Sequence, residues 1–110
     1  MERQSEVLGG CELVWASAEV RLGGEIDSAN VSLVEQRVLP LISGPVTVID
    51  CRSVTFLDAG GVRMLARFGA AALSANTVVR VRCSPWMTIT LELCGFEELP
   101  GLVLTHEEPS

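Results

Sequence analysis

A helical pattern flanked by two short β-branched runs is the feature that most constrains this chain. Residues 46–50 read Val-Thr-Val-Ile-Asp after the turn residues Gly44 and Pro45, and predict a buried strand. Residues 61–75 carry apolar side chains at helical spacing, and residues 77–83 alternate valine with arginine, which predicts a second strand with one wetter face. Two neighbouring strands joined through a helix run parallel, and such a crossover is right-handed.

The remaining patterns extend this unit into one α/β domain. The predicted elements are strands at residues 11–16 and 19–22, a helix at 30–42, the strand at 46–50, a helix at 61–75, a strand at 77–83, a helix at 84–94 and a strand at 102–104. This order favours a mixed sheet. A chain of 110 residues has room for one core, so we expect a single domain over residues 1–110, with loose ends at about residues 1–10 and 105–110.

The charge balance argues against several kinds of partner. The chain carries 14 acidic side chains and 8 basic ones, all arginine, for a net charge of −6. Nucleic acids and anionic membranes are bound by concentrated positive charge, so neither is expected as a partner. No apolar stretch approaches the roughly 20 residues that span a bilayer, and residues 1–8 carry charges where a signal peptide is apolar. We therefore expect a cytoplasmic protein.

The cysteines and the single histidine do not form a recognisable metal-binding pattern. Cys11, Cys51, Cys83 and Cys94 show no CxxC spacing, so we expect no zinc site and no cofactor. Cysteines within apolar runs of a cytosolic protein are interpreted as reduced core residues. Cys51 is kept as an alternative redox site, on the condition that its thiol is exposed and has a lowered pKa. The sequence has neither a glycine-rich phosphate-binding motif nor an apparent catalytic set, so we expect no enzyme.

Four segments carry a resemblance to a known family. They read Gly-Glu-Ile-Asp at 24–27, Val-Ile-Asp at 48–50, Val-Thr-Phe-Leu-Asp-Ala-Gly-Gly-Val at 54–62 and Leu-Glu-Leu-Cys-Gly-Phe at 91–96. In this order and spacing they resemble the STAS domain of bacterial anti-sigma-factor antagonists. The resemblance implies a mixed β-sheet of about five strands with three or four helices packed mainly on one face. It also implies binding to an anti-sigma factor of the serine-kinase type, which releases a sigma factor and so regulates transcription.

One loop departs from the family in a way that bears on regulation. The family loop commonly reads Asp-Ser-Ser-Gly or Asp-Ser-Thr-Gly, and the second residue after the aspartate accepts a phosphate. Here Asp58 and Gly61 match the ends of that loop, while Ala59 and Gly60 stand between them. Phosphoryl transfer needs an oxygen nucleophile, so Gly60, at the acceptor position, cannot be phosphorylated.

The resemblance also implies a partner-binding surface around this loop. Arg63 and Arg67 lie four residues apart in the predicted helix, beside Met64 and Phe68, and such residue types are enriched in interfaces. We therefore predict an exposed interface on this face of the helix. The predicted partner-binding residues are Asp27, Asn30, Asp58, Ala59, Gly60, Gly61, Arg63, Met64, Arg67 and Phe68.

Several alternatives stay open at this point. For Asp27 and Asn30, a turn and helix-capping role is as well supported as partner contact, and Asp58 is expected to cap its helix as well. Ser53 and Thr55, the hydroxyls nearest the loop, are interpreted as turn residues bonded to the backbone. The chain could instead be a STAS subunit of a lipid-transport ABC system or of a stress-signalling scaffold, or a small ligand-binding domain. A homodimer is also left open.

Overall fold

The computed structural model describes residues 2–96 and 99–106, which form six strands and three helices. The strands are β1 (Gln4–Leu8), β2 (Cys11–Ala16), β3 (Glu19–Ile26), β4 (Val46–Leu57), β5 (Val78–Cys83) and β6 (Leu102–His106). The helices are α1 (Val31–Val38), which continues into a 3-10 turn over Leu39–Leu41, α2 (Ala59–Ala75) and α3 (Pro85–Leu93). No helix among the described residues is long and apolar enough to cross a bilayer.

All six strands belong to one sheet, in the order β1-β2-β3-β4-β5-β6. The first three pair antiparallel and the last four pair parallel, which makes the sheet mixed, as predicted. Each parallel step passes through one helix and advances in the same direction across the sheet. Right-handed connections of this kind place all three helices on one face. The predicted fold class is therefore confirmed, with one more strand than the five expected.

The additional strand is β1, in a segment that was expected to be loose. It pairs with β2 along its whole length, from Gln4 opposite Trp15 to Leu8 opposite Cys11. Leu8 is the one β1 residue that is fully buried, and the others are polar or exposed, so the segment lacks a strong strand pattern. At the other end, β6 continues to His106, so residues 105 and 106 are paired in the sheet rather than loose; residues 107–110 lie outside the described residues.

Two strands are longer than their sequence patterns predicted, and their ends meet. β3 was expected to end at residue 22, because two glycines follow, yet it continues to Ile26. Gly24 has a φ of +86°, and the register with β4 shifts directly after it: Gly24 pairs with Val54 and Glu25 with Phe56, so the extra residue of the bulge lies on β4. β4 continues to Leu57, which pairs with Ile26. The carboxyl ends of β3 and β4 therefore lie side by side.

Candidate partner-binding site

The site begins at the two residues that leave the paired strand ends. Asp27 follows Ile26 and Asp58 follows Leu57, and the Asp58 N–H donates a hydrogen bond to the Ile26 carbonyl at 3.4 Å. Residues that are 31 apart in the sequence thus occupy adjacent positions at the carboxyl edge of the parallel strands. Open α/β sheets bind their ligands at this edge.

Asp58 caps helix α2. Its Oδ1 accepts a hydrogen bond from the Gly61 N–H at 3.0 Å, and its carbonyl accepts one from the Val62 N–H at 3.1 Å. These bonds satisfy backbone donors that the first turn of a helix otherwise leaves without partners. The predicted capping role of Asp58 is confirmed. Its side chain is half-buried, so contact with a partner also remains sterically open.

Asp27 forms the turn that leads into α1. Its Oδ1 accepts a hydrogen bond from the Ala29 N–H at 3.0 Å, and its carbonyl accepts one from the Val31 N–H at 2.9 Å. This is the local bonding that aspartate commonly makes at turns. Asp27 is half-buried, and the neighbouring Ser28 and Ala29 are exposed, so the turn faces solvent beside Asp58.

Asn30 does not belong to an accessible surface, so its prediction as a partner-binding residue is wrong. It is only 3% exposed. Its Nδ2 donates to the carbonyls of Leu8 and Glu25, at 3.0 and 2.9 Å, and its Oδ1 accepts from the Asp27 N–H at 3.0 Å. Asn30 is the N-cap residue of α1, as predicted, but its side chain makes no capping hydrogen bond to the helix. Asn30 instead joins β1, β3 and the α1 turn, and only the paired backbone reveals that role.

The two glycines at the start of α2 have different surroundings. Gly61 is buried, and a Cβ there would overlap the Cδ1 of Leu57 and lie 2.9 Å from its Cγ. Gly61 thus allows α2 to approach β4, and it cannot contact a partner as predicted. Gly60 is partly exposed, and a Cβ there would lie 3.2 Å from Asp58 Oδ1, 3.8 Å from Val31 and 4.0 Å from Arg63 Nη2.

The buried face of α2 differs from the predicted one. Met64 and Phe68 are 0% exposed and form part of the core, so the predicted exposed pair is wrong. At 100° per residue, the buried positions from Gly61 to Ala72 cover an arc of about 160°. This arc is centred near Leu65, whereas the predicted stripe extended to Leu73, which is 59% exposed. The centre of the buried arc depends on the surface against which the helix packs. The spacing of apolar residues in the sequence therefore predicted the direction of the buried face inaccurately.

Ala59, Arg63 and Arg67 occupy the opposite, exposed face of α2. Arg67 Nε forms an ion pair with Glu35 of α1, which holds the two helices together at their surface. Among the described residues, Arg63 makes no ion pair. We call the accessible residues around the strand ends the docking surface; they are Asp27, Asp58, Ala59, Gly60, Arg63 and Arg67.

Phe56 is a surface residue near this site that the sequence analysis did not select. It lies two residues before Asp58, opposite Glu25 on β3, and is 47% exposed. Ser53 and Thr55 are exposed in β4, and neither hydroxyl has a hydrogen bond among the described residues. Their interpretation as backbone-bonded turn residues is therefore wrong. The sequence held no specific signal for Phe56, because single exposed hydrophobic residues are common on protein surfaces.

Cys51 does not meet the condition for a redox site. It is 1% exposed on β4. Burial raises the pKa of its thiol well above the ordinary value of 9.0, and the neighbouring Cys83, Asp50 and Cys11 raise it further. A buried, protonated thiol reacts slowly, so the redox prediction is wrong.

A family model described as "Mlab, STAS domain" matches residues 12–104. The match covers most of the chain, and the chain belongs to the STAS domain family. No match was found among the curated proteins.

Two solved structures share the fold. A crystal structure of an anti-sigma factor antagonist from Mycobacterium paratuberculosis has a TM-score of 0.66 at 23% identity, covering 99% of this chain and 86% of that one. SpoIIAA, an anti-sigma factor antagonist, in its unphosphorylated form, has a TM-score of 0.55 at 18% identity, covering 96% of this chain and 90% of that one.

Proposed function

We propose that this chain is an anti-sigma-factor antagonist that acts in the cytoplasm by binding, without catalysis, and that it binds through the docking surface. The observation that carries the proposal is the adjacency of the Asp27 turn and the Asp58 cap at the paired ends of β3 and β4. Family membership and the likeness in fold to two antagonists support the role. The proposed partner is an anti-sigma factor with a kinase-type ATP-binding fold.

The chemistry of the docking surface suits a protein partner. Ala59 and Gly60 are small, so a partner can approach the backbone at the start of α2. The Asp58 side chain already satisfies one N–H there, and Arg63 adds an exposed guanidinium. Arginine at the edge of a small-residue surface can form bidentate bonds to a carboxylate of the partner.

The proposal includes the absence of the usual phosphorylation switch. A phosphate at position 60 would add about −1.5 to −2 charges to the docking surface and could repel a partner. Gly60 carries no hydroxyl, so that charge cannot be added there. Its φ is not in the left-handed region, and the nearest atom to a Cβ at this position would be a carboxylate oxygen at 3.2 Å, so packing alone does not demand glycine. We infer that another signal controls this antagonist.

The first experiment tests the docking surface with a charge reversal. Arg63→Glu is expected to weaken binding to the cognate anti-sigma factor about tenfold or more, because a lost charge-assisted contact costs about 1.5–3 kcal/mol. Binding is measured by isothermal titration calorimetry. Arg37→Glu is the control with the same change in charge; Arg37 forms an ion pair with Glu6 between two exposed side chains, so its loss costs little stability. Equal affinities of the two variants would count against the docking surface.

Arg67→Glu alone would be ambiguous. It places a carboxylate against Glu35 and so disturbs the contact between α1 and α2. The double variant with Glu35→Arg restores an ion pair with the charges exchanged. If binding is lost in both variants while the double variant regains stability, Arg67 contacts the partner directly. If the double variant binds normally, Arg67 acts only by holding α1 in place.

A second experiment tests the missing switch. Wild-type chain incubated with the cognate kinase and ATP is expected to incorporate no phosphate, whereas Gly60→Ser is expected to incorporate about one phosphate per chain. Intact mass spectrometry measures both. Phosphate on the exposed Ser53 or Thr55 of the wild-type chain would contradict this part of the proposal, and Ser53→Ala and Thr55→Ala variants would locate it.

The alternative is a STAS subunit of a lipid-transport ABC system or of a stress-signalling scaffold. The same docking surface would then meet a different partner. Affinity purification from the native host separates the two, because it recovers either a kinase-type anti-sigma factor or a transporter or scaffold subunit.

A further inference from the structure

The sheet face opposite the helices, which we call the open face, carries valines where the strands run parallel. Val46 on β4 lies opposite Val78 on β5, and Val48 and Val103 belong to the next row. Val46, Val78 and Val103 are 38%, 43% and 45% exposed, and no helix among the described residues covers them. Parallel strands are rarely left uncovered on one face, and valine-rich runs are typical of strands that are buried on both faces. The open face therefore has the composition of a surface that another molecule covers.

One row of the open face crosses five strands in register. Ala16 on β2 lies opposite Glu19 on β3, and Glu19 lies opposite Val48 on β4. Val48 in turn lies opposite Arg80 on β5, and Arg80 lies opposite Val103 on β6. We call these five residues the central row. An acidic and a basic side chain thus stand on either side of Val48, each one strand spacing of about 4.8 Å away.

Glu19 and Arg80 are the two charged residues of the central row. Both are exposed, and within residues 2–96 and 99–106 neither side chain makes a hydrogen bond or an ion pair. Their strands are separated by β4, so their backbones lie about 10 Å apart. Both side chains therefore keep their capacity for an ion pair with another molecule.

The open face is electrically balanced, although the chain as a whole carries a net charge of −6. Among the described residues, four acidic and four basic side chains share this face: Glu12, Glu19, Glu25, Asp50, Arg21, Arg52, Arg80 and Arg82. Two copies of an acidic protein repel each other through most of their surfaces. A balanced face is where two copies meet with the least repulsion.

We propose that a second copy of this chain covers the open face, with a two-fold axis that lies above Val48 and runs along β4. A half-turn about this axis places β4 against itself and β3 against β5 of the other copy. Glu19 of each copy then faces Arg80 of the other, and the two Val48 side chains meet at the axis. Val103 of each copy faces Ala16 of the other. The central row is complementary to itself because its acid and its base stand at equal distances from its centre.

The dimensions of the open face suit this arrangement. Packed sheets lie about 10 Å apart, a gap that a facing arginine and glutamate span together. Six strands of about six residues cover about 24 Å by 20 Å, on the order of 500 Å² before the relief of the side chains is counted. A pocket of about 100 Å³, lined in part by Ala16 and Glu19, can receive Val103 of the second copy.

Two features limit the affinity of such a dimer. Specific interfaces bury about 800 Å² on each partner, and the open face is not much larger than this. In the row beside the central row, Arg21 of one copy lies over Arg82 of the other, and the two Asp50 carboxylates between them offset part of the repulsion. We therefore expect an equilibrium between monomer and dimer.

The first test measures the dimer by sedimentation velocity between about 1 and about 200 μM chain. The wild-type chain is expected to show a sedimentation coefficient that rises with concentration. Arg80→Glu faces Glu19 of the other copy twice in each dimer and is expected to raise the dissociation constant about a hundredfold, about tenfold for each contact. Arg80→Gln, which removes the charge without reversing it, is expected to raise it about tenfold. Arg37→Glu, on α1, makes the same change in net charge as Arg80→Glu and is expected to stay within about twofold of the wild type.

The second test mixes two variants that do not dimerise alone. Glu19→Arg places two arginines against each other in both contacts and is expected to be monomeric, as is Arg80→Glu. An equal mixture of the two restores two opposite-charge contacts and is expected to form a heterodimer, which native mass spectrometry identifies by mass. Arg37→Glu mixed with Glu19→Arg has the same net charges but restores a single contact, so it is expected to bind more weakly.

Three results would overturn the proposal: a wild-type chain that stays monomeric over the whole concentration range, a dimer that Arg80→Glu and Glu19→Arg leave intact, or a mixture of these variants that stays monomeric. Both positions are exposed and have no ion pair among the described residues, so the variants are expected to fold, and circular dichroism checks this. Binding of Arg80→Glu to the anti-sigma factor is measured in parallel and is expected to be unchanged, because Arg80 lies outside the docking surface. The dimer and the proposed function can therefore fail separately.

Discussion

The two faces of β4 exclude water by different means. Ile49 and Cys51 point toward the helices and are 0% and 1% exposed, in an apolar layer. Asp50, between them, points to the other side and is 3% exposed, although no helix among the described residues covers it. Arginine side chains close that side by forming ion pairs with the carboxylate while their stems cover the sheet.

This difference separates apolar burial from charge pairing. The helix side gains free energy from apolar contacts. On the other side, Asp50 is buried beneath charged groups, because Arg52 and Arg82 form ion pairs with it. A single strand makes both kinds of contact because its side chains alternate between the two faces. The comparison makes four predictions, from the largest expected effect to the smallest.

Phe68→Ala is expected to lower the free energy of unfolding by about 3–5 kcal/mol, because it leaves a cavity in the fully buried layer between α2 and the sheet. Urea denaturation followed by circular dichroism measures it. Leu73→Ala, on the exposed side of the same helix, is expected to change stability by no more than about 0.5 kcal/mol. A larger loss for Leu73 than for Phe68 would mean that α2 presents a different side to the core.

Gly61→Ala is expected to lower the free energy of unfolding by about 1–3 kcal/mol, because the new methyl group would overlap the side chain of Leu57 at the end of β4. Gly60→Ala, one residue earlier, is expected to stay within about 1 kcal/mol of the wild type, since alanine favours a helix and the site is partly exposed. Thermal unfolding of the two variants side by side checks this. Similar losses in both would show that the two glycines share one role.

Asp50→Asn is expected to lower the free energy of unfolding by about 1–2 kcal/mol at pH 7. The neutral amide has one acceptor oxygen, whereas the carboxylate accepts charge-assisted bonds from Arg52 on both oxygens. The folded-state pKa of Asp50 is lowered, so the stabilisation is present above its ordinary value of 3.8 and is lost as the pH falls through the folded value. The difference between wild type and variant should therefore shrink when urea midpoints are compared at pH 7 and pH 3. A difference that grows on acidification would mean that folding raises the pKa of Asp50 rather than lowering it.

The exposed cysteine should react with a thiol reagent faster than the buried cysteines. This effect concerns labelling rates, and no change in stability is expected. Cys94 is exposed, while burial raises the pKa of Cys83 to about 11 and that of Cys51 well above 9.0. A maleimide at pH 7 is expected to modify one cysteine per folded chain quickly, and four in urea. Mass spectrometry with a Cys94→Ser control assigns the site. Rapid modification of Cys51 in the folded chain would restore the redox alternative.

Local patterns predicted the elements well where they are strong. The start of α3 at Pro85 and the left-handed Gly95 beyond its end followed from cap and turn residues whose preferences are intrinsic. β1 was missed because its pattern contains a single buried residue, and an edge strand is stabilised by its pairing rather than by its side chains. β3 was predicted to be too short because a glycine that usually breaks a strand is instead paired there at a positive φ, opposite a bulge of β4.

The candidate site was predictable in part. Local sequence was enough to predict that Asp58 caps α2 and that Gly60 stands at the acceptor position. Both residues are accessible in the structure. Asn30, Gly61, Met64 and Phe68 were assigned to the surface and are buried. Their surroundings come from β1, β4 and the neighbouring helices, which lie far away in sequence, so no local pattern contains the information.

The sequence by itself determined the alternation of strands and helices, the acidic net charge and the absence of a hydroxyl at position 60, because these are properties of residues and of their near neighbours. Only the tertiary structure decided which side of α2 meets the core, that the ends of β3 and β4 bring Asp27 beside Asp58, and that Asp50 gathers arginines from two strands. Those outcomes depend on which distant segments pack or pair together, and burial and electrostatic energies are set by that packing.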